Sequence, residues 1–348
     1  YPGLHFNITA KEAFRLHNDS FFYEALGTQK EPYLVWEFNG VSQVNIMTAG
    51  FISAEEDPVL PSTFRDEKAA FLTWLKTALH GFRLELPGKE NLLEEIEKIN
   101  DIVFWYSHNA RVHYLSPHGL EQFGGAAWGT RDVCQGPFEY FLCFQNYPVL
   151  RKMLLTIYQH QYLENGNWPQ WFMFDRYYTI QQQESHGDII VWPLKALSDY
   201  INASGDYEIL NEKLVYTHIE GYEFTGQKET LMQHVRKQIA YIQNHFIPGT
   251  YLSCYGDGDW DDTLQPADPA LRKSMVSGWT VTLTYQVFRE FGERLAAYDA
   301  ELSQELLTMA ADIKKDYHHY IIKDGVTSGF IQFDGDTIKY LLHPEDNT

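Results

Sequence analysis

Cysteine is scarce in this sequence. The 348 residues contain only Cys134, Cys143 and Cys254. Three is an odd number and no pair has C-x-x-C spacing, which argues against both a disulfide framework and a structural zinc site. So few thiols fit a reducing compartment, and we expect a cytoplasmic protein.

Basic residues are also few. Lys and Arg total 27 against 47 Asp and Glu, a formal net charge of −20, and no run of Lys or Arg forms a stripe that could neutralise phosphates. No segment approaches the roughly 18 consecutive apolar residues of a membrane span, and the start "YPGLHFNITAKEAF" lacks the basic-then-apolar order of a signal peptide. We therefore expect neither a nucleic-acid nor a membrane partner.

Aromatic residues, in contrast, are abundant at 16%, within a hydrophobic content of 44%. Such a chain can bury a large core, and its length allows about two domains or one large one. The aromatic excess has two interpretations, a large core or flat apolar platforms for sugar rings. Composition alone favours the core.

The chain changes character along its length. Residues 1–62 contain short pieces such as "PYLVWEF" and "SQVNIMTAGFIS" between Gly and Pro residues, a pattern typical of strands and turns. Apolar residues then recur at helical spacing, first in "TFRDEKAAFLTWLKTALHGF" and "ENLLEEIEKINDIVFWYSHNARVHY". Further helices are predicted over Gly136 to Gln145, Val149 to Asn165, Asp188 to Ala203, Lys228 to Asn244, Gly278 to Tyr298 and Ala300 to Ile322.

The loops between these helices are long and rich in Gly, Trp, His and Asp. Amphipathic helices separated by such loops predict a mainly α fold, an α/α toroid whose loops line a cleft at one end. The last segment, "GVTSGFIQFDGDTIKYLLHPEDNT", ends in a polar loop without a closing helix. We therefore expect the toroid to be incomplete in this chain.

The stretch "YGDGDWDDTLQP" groups four aspartates around one tryptophan. Asp257, Asp259 and Asp261 have the D-x-D-x-D spacing of a calcium loop, but Asp262 stands where that loop needs Gly, and two prolines follow. A metal is therefore not expected here. Gly and Asp also suit a solvated turn, although Trp260 is an expensive residue to leave in one.

A third interpretation is that a carboxyl in this stretch acts as an acid. An acid that breaks glycosidic bonds needs a partly apolar site, where desolvation keeps it protonated near neutrality. A tryptophan beside clustered carboxylates can supply such a site. An inverting hydrolase would need a second carboxylate roughly 6.5 to 9.5 Å away, whereas a phosphorolytic enzyme needs none because phosphate itself attacks.

Three segments together resemble a known family. "GDGDWDD" is similar to the G-D-W-N-D motif of the inverting phosphorylases of the cellobiose phosphorylase type, glycoside hydrolase family 94 and related β-1,3-oligoglucan phosphorylases. "WGTRDVCQG" resembles their G-F-R-D-x-x-Q-D segment, and "SHGDIIVWPLKALSDYINASGDYEIL" resembles their S-D-D-x-x-W-L-P stretch and T-G-D turn. The three occur in the family's order, within about Trp105 to Tyr298.

The resemblance implies roles for individual residues. Asp262 matches the family's general acid, and Asp261 stands where the family commonly has Asn. Trp260 would line the subsite for the transferred sugar. Asp132 would bind hydroxyls of that sugar, with Arg131 beside it as an orienting partner, since both groups form bidentate hydrogen bonds.

Three further candidates lie in two loops. His186 and Asp188, with Glu184, could form a metal trio or a loop in which Asp188 caps the next helix, and the resemblance places them at the cleft as sugar contacts. Trp171, in "NWPQWFMFDRYY", belongs either to a core-facing loop or to a glucan platform, with Trp168 and Tyr177 as companions.

The resemblance also implies an architecture. Residues 1–62 would end an N-terminal β-sandwich, residues 63–100 would be linker helices, and residues 101–348 would form part of an (α/α)6 barrel. The family's phosphate-binding residues would lie beyond this chain. There are departures as well, since Ala126 replaces a second arginine and Gly136 replaces the aspartate of the family's Q-D.

The resulting hypothesis is inverting phosphorolysis of a β-glucosidic bond, with β-1,3-linked oligoglucans favoured. The products would be α-glucose 1-phosphate and a shortened acceptor. Inorganic phosphate is then a co-substrate and no cofactor is needed. Relatives are often homodimers, which leaves a homodimer open. The alternatives are an inverting hydrolase that uses water and a carbohydrate-binding protein without catalysis.

Overall fold

The computed structural model describes residues 5–23, 26–31, 33–51, 64–115, 127–262, 268–335 and 337–346. Residues 52–62 of the strand-rich segment and the substituted position Ala126 lie outside these ranges. The chain divides into two compact units, residues 1–74 and 75–348. The division into three parts made from the sequence stays a prediction.

The described residues form nine α-helices and fourteen short strands. The helices are α1 Phe64–Ala78, α2 Leu93–Leu115, α3 Thr130–Cys134, α4 Gly136–Cys143, α5 Tyr147–Gln159, α6 Trp192–Ser204, α7 Leu231–Asn244, α8 Gly278–Leu295 and α9 Ala300–Asp316. The strands are β1 His5–Ala10, β2 Arg15–His17, β3 Val35–Glu37, β4 Ile46–Phe51, β5 Ala127–Gly129, β6 Trp171–Met173, β7 Gln181–Gln182, β8 Lys213–Thr217, β9 Phe224–Thr230, β10 Met275–Ser277, β11 Ile322–Lys323, β12 Val326–Thr327, β13 Phe330–Asp334 and β14 Thr337–Leu341.

The first unit contains two antiparallel strand pairs. β1 pairs with β4, with His5 opposite Phe51, and β2 pairs with β3, with Arg15 opposite Glu37. The buried carboxylate of Asp19 accepts hydrogen bonds from the backbone of the loop that follows, including one of 2.7 Å from the Gln29 amide. The predicted strand content of this part of the chain is confirmed where it is described.

The second unit is built mainly from helices. Its core is one continuous cluster of buried apolar side chains, supplied largely by α4 to α9 and including Phe138, Leu197, Val235 and Phe288. The prediction of a mainly α fold is confirmed. Among the described helices none is long and apolar enough to cross a membrane.

Side-chain caps fix where several helices begin. Thr230 and Gln233 form a capping box at α7, so this helix starts at Leu231 rather than at the predicted Lys228, which lies in β9. α5 stops at Gln159, although the sequence predicted helix to Asn165. A tight turn follows, in which the Gly166 amide donates to the Tyr162 carbonyl at 2.9 Å.

Two small sheets, which the sequence analysis did not predict, position loops between the helices. The order β5-β6-β7 places Gly129 opposite Trp171, and the order β10-β13-β14 places Ser277 opposite Phe330. β5 leads directly into α3, and β10 leads into α8. The two sheets therefore fix the backbone next to the segments that carry the candidate site.

Candidate active site

Arg131 lies at the start of α3 and its side chain is almost completely buried, with 4% exposed. The turn before it is fixed by Thr130, whose hydroxyl donates to the Pro169 carbonyl at 2.7 Å and whose amide donates to the Gln170 carbonyl at 2.9 Å. These two hydrogen bonds fix the backbone next to Arg131, and with it the position from which the guanidinium extends. The guanidinium can act as a fixed positive charge.

The Arg131 guanidinium joins three segments of the chain. Nη2 donates to Oδ1 of Asp262 at 2.6 Å, and Nη1 donates to the Asp259 carbonyl at 2.9 Å. Nη1 also lies 3.4 Å from both carboxylate oxygens of Asp188, and Nε lies 3.8 Å from Asp132. Burial opposes the charge of Arg131, but Asp188 and Asp262 outweigh it and raise the pKa of the guanidinium.

Asp188 is fully buried and forms an ion pair with the Arg131 guanidinium. Its carboxylate accepts a hydrogen bond of 2.9 Å from Nε1 of Trp192, one helical turn further on. The prediction that Asp188 caps a helix is wrong, because its side chain does not bond to the backbone of the 3-10 turn Ile189–Val191 that follows. Burial raises the pKa of Asp188, and the charge of Arg131 opposes this rise.

His186, whose imidazole can carry a positive charge, also contacts the Asp262 carboxylate. Its Nδ1 lies 3.0 Å from the Asp259 carbonyl and 3.2 Å from Oδ1 of Asp262. Because a carbonyl can only accept, Nδ1 carries the hydrogen in this geometry. The His186 amide donates to Oε1 of Gln170 at 2.9 Å, which ties this loop to the segment beside α3.

The loops of His186 and Asp262 approach each other backbone to backbone. The Gly187 amide donates to the Gly258 carbonyl at 2.8 Å. A Cβ on Gly187 would lie 2.4 Å from the carbonyl oxygen of Tyr255, closer than atoms can pack. Only glycine therefore permits this contact.

Asp257 and Asp259 of the 257–262 loop form different contacts. Asp257 pairs with Arg272 at 2.6 Å, whereas the buried Asp259 accepts from the Ser277 hydroxyl at 2.5 Å and from the Asp261 amide at 3.0 Å. Among the described residues, no group of three or more His, Cys, Asp or Glu side chains could hold a metal ion. Asp257 and Asp259 thus shape the loop.

Asp261 and Asp262 are the exposed carboxylates of this loop, and 64% of the Asp262 side chain is exposed. A partly apolar surrounding was expected for the acid, but in this cluster the buried carboxylates are those of Asp188 and Asp259 instead. Trp260 is 55% exposed, and its ring lies 6.2 Å from that of Trp279. The predicted residues therefore meet in one ionic cluster, which contains Arg131, Asp132, His186, Asp188 and Asp262. Trp260 and Asp261 lie in the same loop as Asp262 and line a neighbouring cavity of about 490 Å³.

The aromatic loop contributes less than the sequence suggested. Trp171 is not drawn into this ionic cluster. It lies on β6, and its indole donates to Oε1 of Gln182 at 3.0 Å. Trp168 is fully buried and donates to the Ile157 carbonyl at 2.8 Å, so it belongs to the core and cannot be a platform. Tyr177 is exposed, with Arg176 over its ring.

Sequence reasoning missed three residues that support the site. Trp192 holds Asp188, Ser277 holds Asp259, and Trp279 lies between Trp192 and Trp260. Trp192 was visible in the motif "SHGDIIVW", four residues after Asp188 and thus on the same helical face. Ser277 and Trp279 carry no such signal, since they lie outside the three motifs.

Residues 166–331 match the family model described as Glycosyl hydrolase 94 superfamily, catalytic domain. The matched region includes Asp188 and the whole 257–262 loop. The resemblance read from the three motifs is therefore confirmed.

Two curated relatives are phosphorylases by name. The chain is 52% identical over 252 residues to "1,2-beta-oligoglucan phosphorylase" of Listeria innocua, a match that covers 72% of this chain and 23% of that protein. It is 27% identical over 132 residues to "Solabiose phosphorylase" of Paenibacillus borealis, covering 37% of this chain and 16% of that protein. The chain thus spans less than a quarter of the length of these relatives. The β-1,3 preference inferred from the motifs is not supported, because the relative with 52% identity is named for β-1,2 linkages.

Proposed function

We propose that this chain carries the general acid of an inverting phosphorylase that acts on β-linked oligoglucans, with β-1,2 as the linkage. The observation that carries this proposal is the exposed Asp262 carboxylate, which contacts both Arg131 and His186 and lies two residues after the exposed Trp260. The matches to family 94 and to a phosphorylase of 1,2-β-oligoglucans support the reaction class and the linkage. The barrel of six helix pairs, the preceding β-sandwich and the homodimer stay predictions.

In the proposed reaction, Asp262 protonates the oxygen of the glucosidic bond. Inorganic phosphate attacks the anomeric carbon from the opposite face, the bond to the acceptor breaks, and α-glucose 1-phosphate leaves with inverted configuration. Phosphate is a co-substrate, and no cofactor or metal takes part.

In this reaction, the residues near Asp262 hold its carboxyl group or bind the transferred sugar. Arg131 and His186 hold its Oδ1 and leave the rest of the exposed carboxyl open to substrate. Asp132, whose side chain is about one-third exposed, can accept hydrogen bonds from hydroxyls of the transferred glucosyl unit. Trp260 offers an aromatic face to the same unit.

The test uses the full-length protein and the substitution Asp262→Asn. Phosphorolysis of an unactivated β-1,2-oligoglucan should fall by about 10² to 10⁴, the usual effect of losing a general acid. Asp257→Asn is the matched control, because this carboxylate lies in the same loop but pairs with Arg272, and it should keep most of the activity. Wild-type activity in Asp262→Asn would refute the assignment.

Phosphate dependence tests the reaction class separately. Product release from the wild-type protein should require inorganic phosphate and yield a sugar phosphate. Free glucose released at the same rate with and without phosphate would show an inverting hydrolase. Binding of oligoglucan without turnover at any phosphate concentration would show a carbohydrate-binding protein.

A further inference from the structure

A cavity of about 590 Å³, which we call the aromatic pocket, lies beside α5 and the start of β9. Its volume lies in the range of small-molecule sites, roughly 300 to 1,000 Å³. The described residues that line it do not include any member of the ionic cluster, so the pocket is separate from the acid. The argument below uses six of these lining side chains, those of Lys152, Thr156, Gln159, His160, Tyr178 and Phe224.

The pocket presents aromatic faces to a ligand. The rings of Tyr178 and Phe224 are nearly parallel, with an angle of 17° between them and 5.2 Å between their centroids. The Phe224 ring also lies 5.3 Å from the ring of His160, so the three rings are in continuous contact. Phe224 is 38% exposed. A large apolar side chain left exposed at a cavity is typical of a binding surface.

One face of α5 gives the pocket its polar groups. Lys152, Thr156 and Gln159 are spaced four and three residues apart, which places them on the same side of the helix, and all three line the pocket. The Thr156 hydroxyl and the Gln159 amide can each donate and accept hydrogen bonds. The charged side chains of the described lining are Lys152 and Asp175, one of each sign. The pocket therefore favours a neutral ligand that carries hydroxyl groups.

His160 adds a buried nitrogen that lacks a partner. The residue is 3% exposed, and within the described part of the chain its Nδ1 forms no hydrogen bond. Burial lowers the pKa of His160 to about 3, so at neutral pH one ring nitrogen donates and the other accepts. A buried polar group without a partner is destabilising. A ligand hydroxyl, which both donates and accepts, can supply the missing hydrogen bond in either tautomer.

We infer that the aromatic pocket is an accessory site for a neutral oligosaccharide, which holds a second stretch of β-linked glucan apart from the acid. The identity of the sugar rests on the proposed function. A glucan offers flat CH faces to Tyr178 and Phe224 and hydroxyl groups to Gln159 and His160. The stretch held here is bound but not cleaved, because Asp262 does not line the pocket.

The experiment counts and ranks glucan sites by calorimetry. Full-length protein with Asp262→Asn, which leaves the glucan intact, is titrated with a β-1,2-gluco-oligosaccharide, and two classes of site are expected. Adding Phe224→Ala should weaken one class about fivefold to tenfold, the size of a lost aromatic contact. Phe224→Tyr keeps the aromatic face and should change it less than about twofold. Phe82→Ala removes an exposed phenylalanine elsewhere in the second unit and serves as the matched control.

His160→Phe tests the hydrogen bond alone. It keeps a ring stacked on Phe172, at a centroid distance of 3.7 Å, but removes the nitrogens. The same class of site should weaken about threefold to tenfold, the size of one hydrogen bond. With Asp262 restored, Phe224→Ala should change kcat/KM for the shortest cleaved glucan less than about twofold.

Two results would overturn the inference. One is glucan binding that Phe224→Ala and His160→Phe both leave unchanged. The other is a parallel loss of binding and of kcat/KM for the shortest glucan in Phe224→Ala, which would make the pocket part of the catalytic cleft. If the wild-type protein released no sugar phosphate from any glucan, the proposed function would fail instead. Weaker binding in Phe224→Ala would then still support the accessory site.

Discussion

Replacing Arg131 by methionine tests whether its charge holds the site together. Methionine fills a similar space without charge, so the perturbation is mainly electrostatic. Among the described residues, the substitution leaves the fully buried Asp188 with the Trp192 indole as its hydrogen-bond partner, and it removes the 2.9 Å donor of the Asp259 carbonyl. Removing one member of a buried ion pair costs about 3 to 5 kcal/mol. The contact with Asp262 adds little, because that side chain is mostly exposed.

We therefore expect Arg131→Met to lower the free energy of unfolding by about 4 kcal/mol at pH 7, measured by urea denaturation of the full-length protein. The matched variant is the double substitution Arg131→Met with Asp188→Asn. The neutral amide can still accept from Trp192 but carries no charge to be compensated. The double variant should be about 2 kcal/mol more stable than Arg131→Met alone.

The pH dependence gives an independent check with a definite sign. Burial raises the pKa of Asp188 above its ordinary value of 3.8, and removing Arg131 raises it further. In the variant, the folded protein therefore binds a proton at a pH where the unfolded chain does not. Its stability should rise as the pH falls from 7 through this elevated pKa, and this gain should be complete below pH 3.8. The deficit relative to wild type should shrink over the same range.

A deficit below about 1 kcal/mol that does not change with pH would refute this reasoning. It would mean that Asp188 is neutral in the folded wild-type protein. A double variant no more stable than Arg131→Met would lead to the same conclusion. Asp188 would then support the site only through its hydrogen bond to Trp192.

Two further predictions concern the surroundings of the site. Gly187→Ala should cost about 1 to 3 kcal/mol and reduce activity, because the added methyl meets the Tyr255 carbonyl at 2.4 Å, whereas Gly226→Ala, with open space around it, should be silent in both assays. Burial lowers the pKa of His160 to about 3, so the unfolded chain takes up a proton before the folded protein does, and stability is lost as the pH falls from 6.5 towards 3. His160→Phe should make unfolding less sensitive to acid over that range, measured as the melting temperature, and equal acid sensitivity in both proteins would contradict this cause. The substitution keeps the stacking on Phe172, whose ring centroid lies 3.7 Å from that of His160.

The long helices α5 to α9 of the second unit could be predicted from the sequence because each carries an amphipathic period over more than ten residues. Their ends were less certain. The capping box of Thr230 and Gln233 was present in the sequence, yet the apolar period extended through it to Lys228. The small strands were missed for a different reason. β10 and β13 pair between residues more than fifty positions apart, and no local pattern of three residues specifies such pairing.

The candidate site shows the same division. The motifs placed Arg131, His186 and Asp262 at one cleft, and the structure brings them within hydrogen-bonding distance. The environment of each carboxylate was not predictable, because burial depends on the tertiary fold. Asp188 and Asp262 look equally polar in the sequence, but one is fully buried and the other faces water.

The contacts of Arg131 also have a consequence for how the site comes into being. They join residues 57 and 131 positions apart in the chain. During synthesis, more than a hundred further residues must therefore be added after Arg131 before its contact with Asp262 can form. Loops of this length close late, after local helices have formed. The site is thus expected to be among the last features of this unit to assemble, so a molecule able to hold the acid in place is one whose folding is already nearly complete.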